Sequence, residues 1–255
     1  MIANLPWYDL PELHRAYDAF WTVLARHLRR AGVADAPRRL EREGDARAQW
    51  RDPALLLSQA CGYDVVATGA ARALRVVGTP RFDLPDGDAG RYASRIAVRD
   101  DHVARNLADL KGARCAINEA SSHSGHHALR ALVARLANGR PFFGRVVESG
   151  SHVASLALLT RGAVEVAAID CMTWALLAEH RPTAIAGLRT IGLTPAVAAP
   201  PFVTSARASD DRVARIRDAL DGAFADPRAM HARSDLRLAG VERSSRCRYR
   251  ELAVA

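Results

Sequence analysis

The chain has 255 residues, 49% of them apolar and 25% charged, with a formal net charge of +8. This is an ordinary globular composition, long enough for one large α/β domain or two lobes, and no apolar run reaches the ~18 residues of a transmembrane helix. Lys111 is the only lysine among 36 basic residues, and the arginines are scattered rather than gathered on the basic face that a nucleic-acid role would want.

Ile2 to Leu5 reads as a first short strand, followed by Trp7 and Tyr8. The start has no basic n-region and carries early acidic residues, so no signal peptide is expected. Asp9 and Glu12 form a candidate capping box for a long helix with Leu13, Ala16, Tyr17, Phe20, Leu24 and Leu28 on its inner face. Gly32 ends that helix. Asp35 to Asp52 is polar and irregular, with a short helix near Ala46. Leu55 to Gln59 reads as a buried strand, and Ala73 to Gly78 as another. Pro85, Asp86 and Gly87 are turn chemistry. Tyr92 to Val98 alternates as a strand, and Leu107 to Leu110 is a helical turn stopped by Gly112.

The chain is organised around the stretch Arg114 to Leu136. A short strand (Arg114 to Asn118) runs into Ser121-Ser122-His123-Ser124-Gly125, and a helix follows with Ala128, Leu129, Leu132, Val133 and Leu136 at helical spacing. Free backbone N–H groups, serine hydroxyls and the positive end of the helix dipole meet at that turn, which suits a small oxyanion. The alternative is that Ser121 or Ser122 simply caps the helix.

Gly144 to Glu148 is a strand ending in Ser149-Gly150-Ser151-His152. The helix after it has Val153, Leu156, Ala157 and Thr160 on one face. Val164 to Ile169 is a strand, and Asp170 caps the helix Cys171 to His180. Ile185 to Leu193 and Pro201 to Thr204 read as extended. Ser209 to Phe224 is an amphipathic helix, and Pro227 starts a shorter one. The tail from Gly240 is basic and weakly patterned. Strands alternating with helices predict α/β architecture with mostly parallel sheets. Cys61, Cys115, Cys171 and Cys247 show no CxxC spacing, and Cys115 and Cys171 read as buried free thiols.

The opening LPWYD, the segment LADLKGARCAINEASSHSG and the segment VESGSHVASLALLTRGAVEVAAID together resemble the phosphate, phosphite and phosphonate substrate-binding proteins of ABC transporters. The resemblance covers nearly the whole chain. It implies the type II periplasmic-binding-protein fold, with two α/β lobes and a ligand cleft between them. Residues 1–95 plus 198–255 would form the first lobe, and 96–197 the second. Ser122, Ser124 and the Gly125 amide would hold phosphorus-bound oxygens, with His123 in the same turn. His152 would add a hydrogen bond or a charge, and Asp170 would accept from a ligand ammonium or a protonated oxygen. Tyr8, Gln59 and Tyr92 would line the first-lobe wall. The implied role is uptake of a small phosphorus oxyanion, with an ABC permease as partner if the chain is exported. No cofactor, nucleic acid or membrane insertion is implied. Periplasmic location follows from the resemblance, and a cytoplasmic one from the expected lack of a signal peptide.

Other readings stay open. A cytosolic sensor or salvage protein would use the same fold. An enzyme would use Cys61 or Ser122 as nucleophile, His152 as base and Asp170 as orienter. His123 and His127, at i and i+4, are a candidate metal pair without an evident third ligand.

Overall fold

The computed structural model describes residues 1–84 and 90–254, so the turn expected at Pro85, Asp86 and Gly87 lies outside the described residues. In chain order the strands are β1 (Ile2–Ala3), β2 (Leu55–Gln59), β3 (Leu74–Phe82), β4 (Arg91–Tyr92), β5 (Ser94–Arg99), β6 (Arg114–Ile117), β7 (Arg145–Glu148), β8 (Val166–Asp170), β9 (Leu188–Leu193), β10 (Val197–Ala198), β11 (Phe202–Ser205) and β12 (Leu238–Arg243). The α-helices are α1 (His14–Arg30), α2 (Ala46–Gln49), α3 (Asp64–Ala67), α4 (Ala128–Ala137), α5 (His152–Thr160), α6 (Cys171–His180), α7 (Asp210–Ala225) and α8 (Met230–Asp235). They form two compact units: Met1–Asp83 with Ala198–Val254, and Arg91–Val197. Tyr92 therefore belongs to the second unit by its contacts.

The first unit carries a sheet in the order β1-β2-β11-β3-β12. β1 and β2 are parallel, whereas β11 runs antiparallel to β2 and β3, and β12 antiparallel to β3. Every residue of β2 is buried, as expected of a strand covered on both faces. α1 buries the predicted face, including Phe20 and Leu24, and Phe20 meets Phe224 of α7 edge-on at 5.4 Å. Gly32, at φ +86°, closes α1 in the left-handed region.

The second unit's sheet has the order β7-β6-β8-β5-β9. β6 is parallel to β7 and β8, and β5 is antiparallel to β8 and β9. Ile96, Val98, Cys115, Ile117, Leu129 and Val133 form part of one core against the sheet. Cys115 is buried there, and burial pushes its thiol up to about 12.

Four expectations are corrected. Both sheets are mixed rather than mostly parallel, because β5 and β11 follow the short strands β4 and β10 directly instead of arriving through a strand–helix–strand crossover. The Asp9 capping box does not form. A 3-10 turn at Pro11–Leu13 precedes α1 without a side-chain cap, and Asp9 instead accepts from Arg42 Nε at 2.8 Å. A guanidinium is the stronger donor, and Pro11 has no N–H to be capped. In α5 the buried residues are Ser155, Leu156 and Leu159, not Val153, Ala157 and Thr160. Ser155 turns inward because Ser149 Oγ, 2.7 Å away, satisfies its hydroxyl. The tail forms β12 and a run of 3-10 turns (Arg246–Val254) that buries Tyr249 and Leu252. Tyr249 Oη donates to the Ala199 carbonyl at 2.9 Å.

Candidate functional site

Three turns at strand ends of the second unit converge on one set of side chains. The first follows β6. Ser122 Oγ accepts from the Gly125 N–H at 3.1 Å, and the Ser122 carbonyl accepts from the His127 N–H at 3.0 Å. The segment His123–His127 is a single π turn, and α4 continues from it. Such insertions widen a helix locally and are frequent at functional sites. Ser122 is thus a true cap, as one of the two readings of the turn required.

Gly125 is fixed by close approach rather than by its φ. A Cβ there would stand 1.9 Å from Asn118 Oδ1 and 3.1 Å from His152 Cε1. Asn118 follows β6 directly and packs under the turn, its Oδ1 buried and without a hydrogen-bond partner among the described residues.

The second turn precedes α5. Ser151 Oγ accepts the Ala154 N–H, and His152 is the first residue of the helix. The third ends β8, where Asp170 caps α6: its Oδ1 accepts the Thr173 N–H at 2.8 Å and its Oδ2 the Thr173 hydroxyl at 2.5 Å. His152 Nε2 joins the turns. It lies 3.0 Å from Ser124 Oγ and 3.1 Å from Asp170 Oδ2. The Asp170 and His152 side chains are only 3% and 12% exposed, so this contact is poorly screened.

Electrostatically the site is built of neutral donors around one carboxylate. Burial pushes His123 and His127 down to about 4. Burial also lowers His152, opposed by the Asp170 and Glu119 carboxylates. These imidazoles are therefore uncharged at neutral pH. Among the described residues, no group of three or more His, Cys, Asp or Glu side chains could hold a metal ion.

A Ser–His–Asp triad uses both ring nitrogens, one toward serine and the other toward aspartate. Here Ser124 and Asp170 both face Nε2. The serine is also Ser124 rather than Ser122, whose hydroxyl accepts from the Gly125 amide.

The structure thus gathers Ser122, Ser124, Gly125, His152 and Asp170, with His123 buried in the same π turn. Tyr92 sits just before Ala93, whose carbonyl accepts the Cys171 N–H beside Asp170. Tyr8 and Gln59 belong to the first unit. Tyr8 holds a φ of +70° and meets Phe82 edge-on at 5.6 Å. A tyrosine in that conformation is strained, and such strain clusters at functional positions. Gln59 Nε2 donates to the Pro200 carbonyl at 3.0 Å. Sequence reasoning missed Asn118 and Thr173. Position alone could have found both: Asn118 directly follows a strand and opens the turn, and Thr173 stands three residues after a capping aspartate.

Residues 2–249 match the family described as ABC transporter, phosphonate, periplasmic substrate-binding protein. Among curated protein sequences, none matches the chain. Among solved structures, PhnD1 from Prochlorococcus marinus in complex with methylphosphonate superposes with a TM-score of 0.77 at 16% identity, covering 99% of this chain and 95% of that one. A binding protein component of an ABC phosphonate transporter from Pseudomonas aeruginosa superposes with a TM-score of 0.78 at 16% identity, covering 99% and 84%. A Xanthomonas citri protein bound to ATP gives 0.73 at 18% identity, covering 100% and 95%. At these identities the likeness is one of fold, and it is the periplasmic-binding-protein fold.

Proposed function

Because the chain belongs to the family of phosphonate periplasmic substrate-binding proteins of ABC transporters, a family of solute-binding proteins, we propose that its solute is a small phosphorus oxyanion held at the Ser122–Gly125 turn. The observation that carries this reading is the contact of His152 Nε2 with both Ser124 Oγ and Asp170 Oδ2. An ionised carboxylate only accepts hydrogen bonds, so a bare nitrogen lone pair at 3.1 Å would repel it. Nε2 therefore carries the proton, and Asp170 Oδ2 and Ser124 Oγ share it as acceptors. The Ser124 hydroxyl is left to donate its own proton elsewhere, and an anionic oxygen is the acceptor it suits.

Binding is favoured over catalysis because nothing in this arrangement activates a nucleophile. His152 donates toward Ser124 and does not take its proton. Asp170 acts through His152 in this reading, its oxygens accepting from Thr173 and facing His152 Nε2. Delivery to an ABC permease in the periplasm is the role the family membership supports.

A thermal-shift panel of phosphate, phosphite, methylphosphonate, 2-aminoethylphosphonate, sulfate, taurine and thiamine tests the reading. A ligand that binds only the folded chain raises Tm, and the rise grows with the logarithm of its concentration relative to Kd. A selective rise with a phosphorus oxyanion is expected. A rise with sulfate or taurine alone would move the ligand class to sulfur oxyanions, and a flat panel would overturn the reading.

A further inference from the structure

We propose that Thr173 is a positioning residue for the anion site, acting through Asp170 and His152 to orient the Ser124 hydroxyl. The proposal rests on the binding reading above and adds a residue that touches no ligand. Four side chains from four segments form one directed chain. The Thr173 hydroxyl donates to Asp170 Oδ2 at 2.5 Å, the same oxygen that lies 3.1 Å from His152 Nε2. The Thr173 N–H donates to Asp170 Oδ1 at 2.8 Å. Thr173 thus holds the carboxylate by both oxygens, through a backbone and a side-chain donor, and sets its plane.

An aspartate that only capped α6 would need the backbone bond alone. The second bond restrains Oδ2, the oxygen that faces the imidazole. A restrained Oδ2 fixes the Nε2–H tautomer of His152, and that proton makes Ser124 Oγ an acceptor. The serine proton is then directed away from His152, toward the ligand position. The charged groups that bear on His152 are Asp170, from the end of β8, and Glu119, from the turn after β6. The Thr173 hydroxyl also draws charge from Asp170 Oδ2. Without it, more negative charge faces the imidazole, and the protonated form of His152 gains.

The test pairs Thr173→Val with Thr173→Ser. Valine keeps the shape and the backbone N–H but removes the hydroxyl, and serine restores the hydroxyl. In the unliganded chain, nitrogen-15 NMR of His152 reads its tautomer and titration directly. Thr173→Val is expected to raise the His152 midpoint, and Thr173→Ser to return it toward the wild-type value. Calorimetric titration with methylphosphonate, inorganic phosphate and phosphite is expected to show about tenfold weaker binding in Thr173→Val, with recovery in Thr173→Ser. The pH profile of affinity should shift upward with the His152 midpoint.

A Thr173→Val variant that titrates and binds as wild type overturns the proposal. So does an equal loss in both variants, which would mean a packing role. If His152 responds as expected but wild type binds none of the three oxyanions, the ligand reading fails while the hydrogen-bond chain stands as a structural device.

Discussion

At the scale of single residues, the Ser122–Gly125 turn depends on contacts that leave no room. Gly125→Ala would place a methyl group 1.9 Å from Asn118 Oδ1 and 2.7 Å from its Cγ. Neither partner can move far, because Asn118 sits between β6 and the π turn. The substitution should cost about 1–3 kcal/mol, typical of overpacking. Removing the obstacle as well should return part of that loss, so the Gly125→Ala, Asn118→Ala double variant should be more stable than additivity predicts. Denaturant titration of the four proteins measures this coupling, and strict additivity would contradict the contact. The motif around Ser122 to Gly125 was legible in sequence because serine, glycine and helix start coincide there. The link from Ser124 through His152 to Thr173 was not. Its members lie 28, 18 and 3 residues apart in sequence, and the parallel pairing of β6 with both β7 and β8 brings the turns together.

At the scale of elements, helix starts carry the candidate site. Ser122, Ser151 and Asp170 each accept a backbone N–H in the first turn of the π turn, α5 and α6. Ser122→Ala should cost about 1 kcal/mol through the lost cap. Because the Gly125 N–H would then be unpaired, anion binding should weaken less than stability does in the apo chain. An unchanged Tm would contradict the capping role. Most helices were readable from their periodicity and caps, and α1 and α7 bury the faces their sequences imply. Misreadings arose where a long-range partner outcompeted a local rule. Arg42 takes Asp9 away from the start of α1, and Ser149 draws Ser155 inward in α5. β12 carries too little alternation to announce itself, since its pairing with β3 is what makes it a strand.

At the scale of the whole molecule, buried neutral histidines make stability depend on pH. His123 and His127 are held near 4, well below the usual 6.5. The unfolded chain therefore binds more protons than the folded one between those values. The stability these residues contribute is full above about pH 6.5 and is lost as pH falls toward 4. For His123 alone the loss amounts to about 3 kcal/mol. Asp226, which accepts from Arg228 and faces His27 at 2.8 Å, has its carboxyl held well below the usual range. Its contribution is lost only at still lower pH. Tm followed from pH 7 to about pH 4.5 should fall for wild type and fall less for His123→Asn, whereas parallel curves would exclude His123 as a source. The α/β class was legible from alternating elements, and the division into two units only through the resemblance; mixed strand direction was not legible, because neither periodicity nor turn chemistry encodes the route by which a strand enters its sheet.

The central claim is that the Ser124 hydroxyl, directed by His152, donates to a phosphorus oxyanion. Calorimetric titration of wild type and Ser124→Ala with methylphosphonate tests it most directly, with Tm recorded for both. The account predicts saturable one-site binding by wild type and at least about tenfold weaker binding by the variant under conditions where Tm shows both proteins folded. Equal affinity in the two proteins would contradict it.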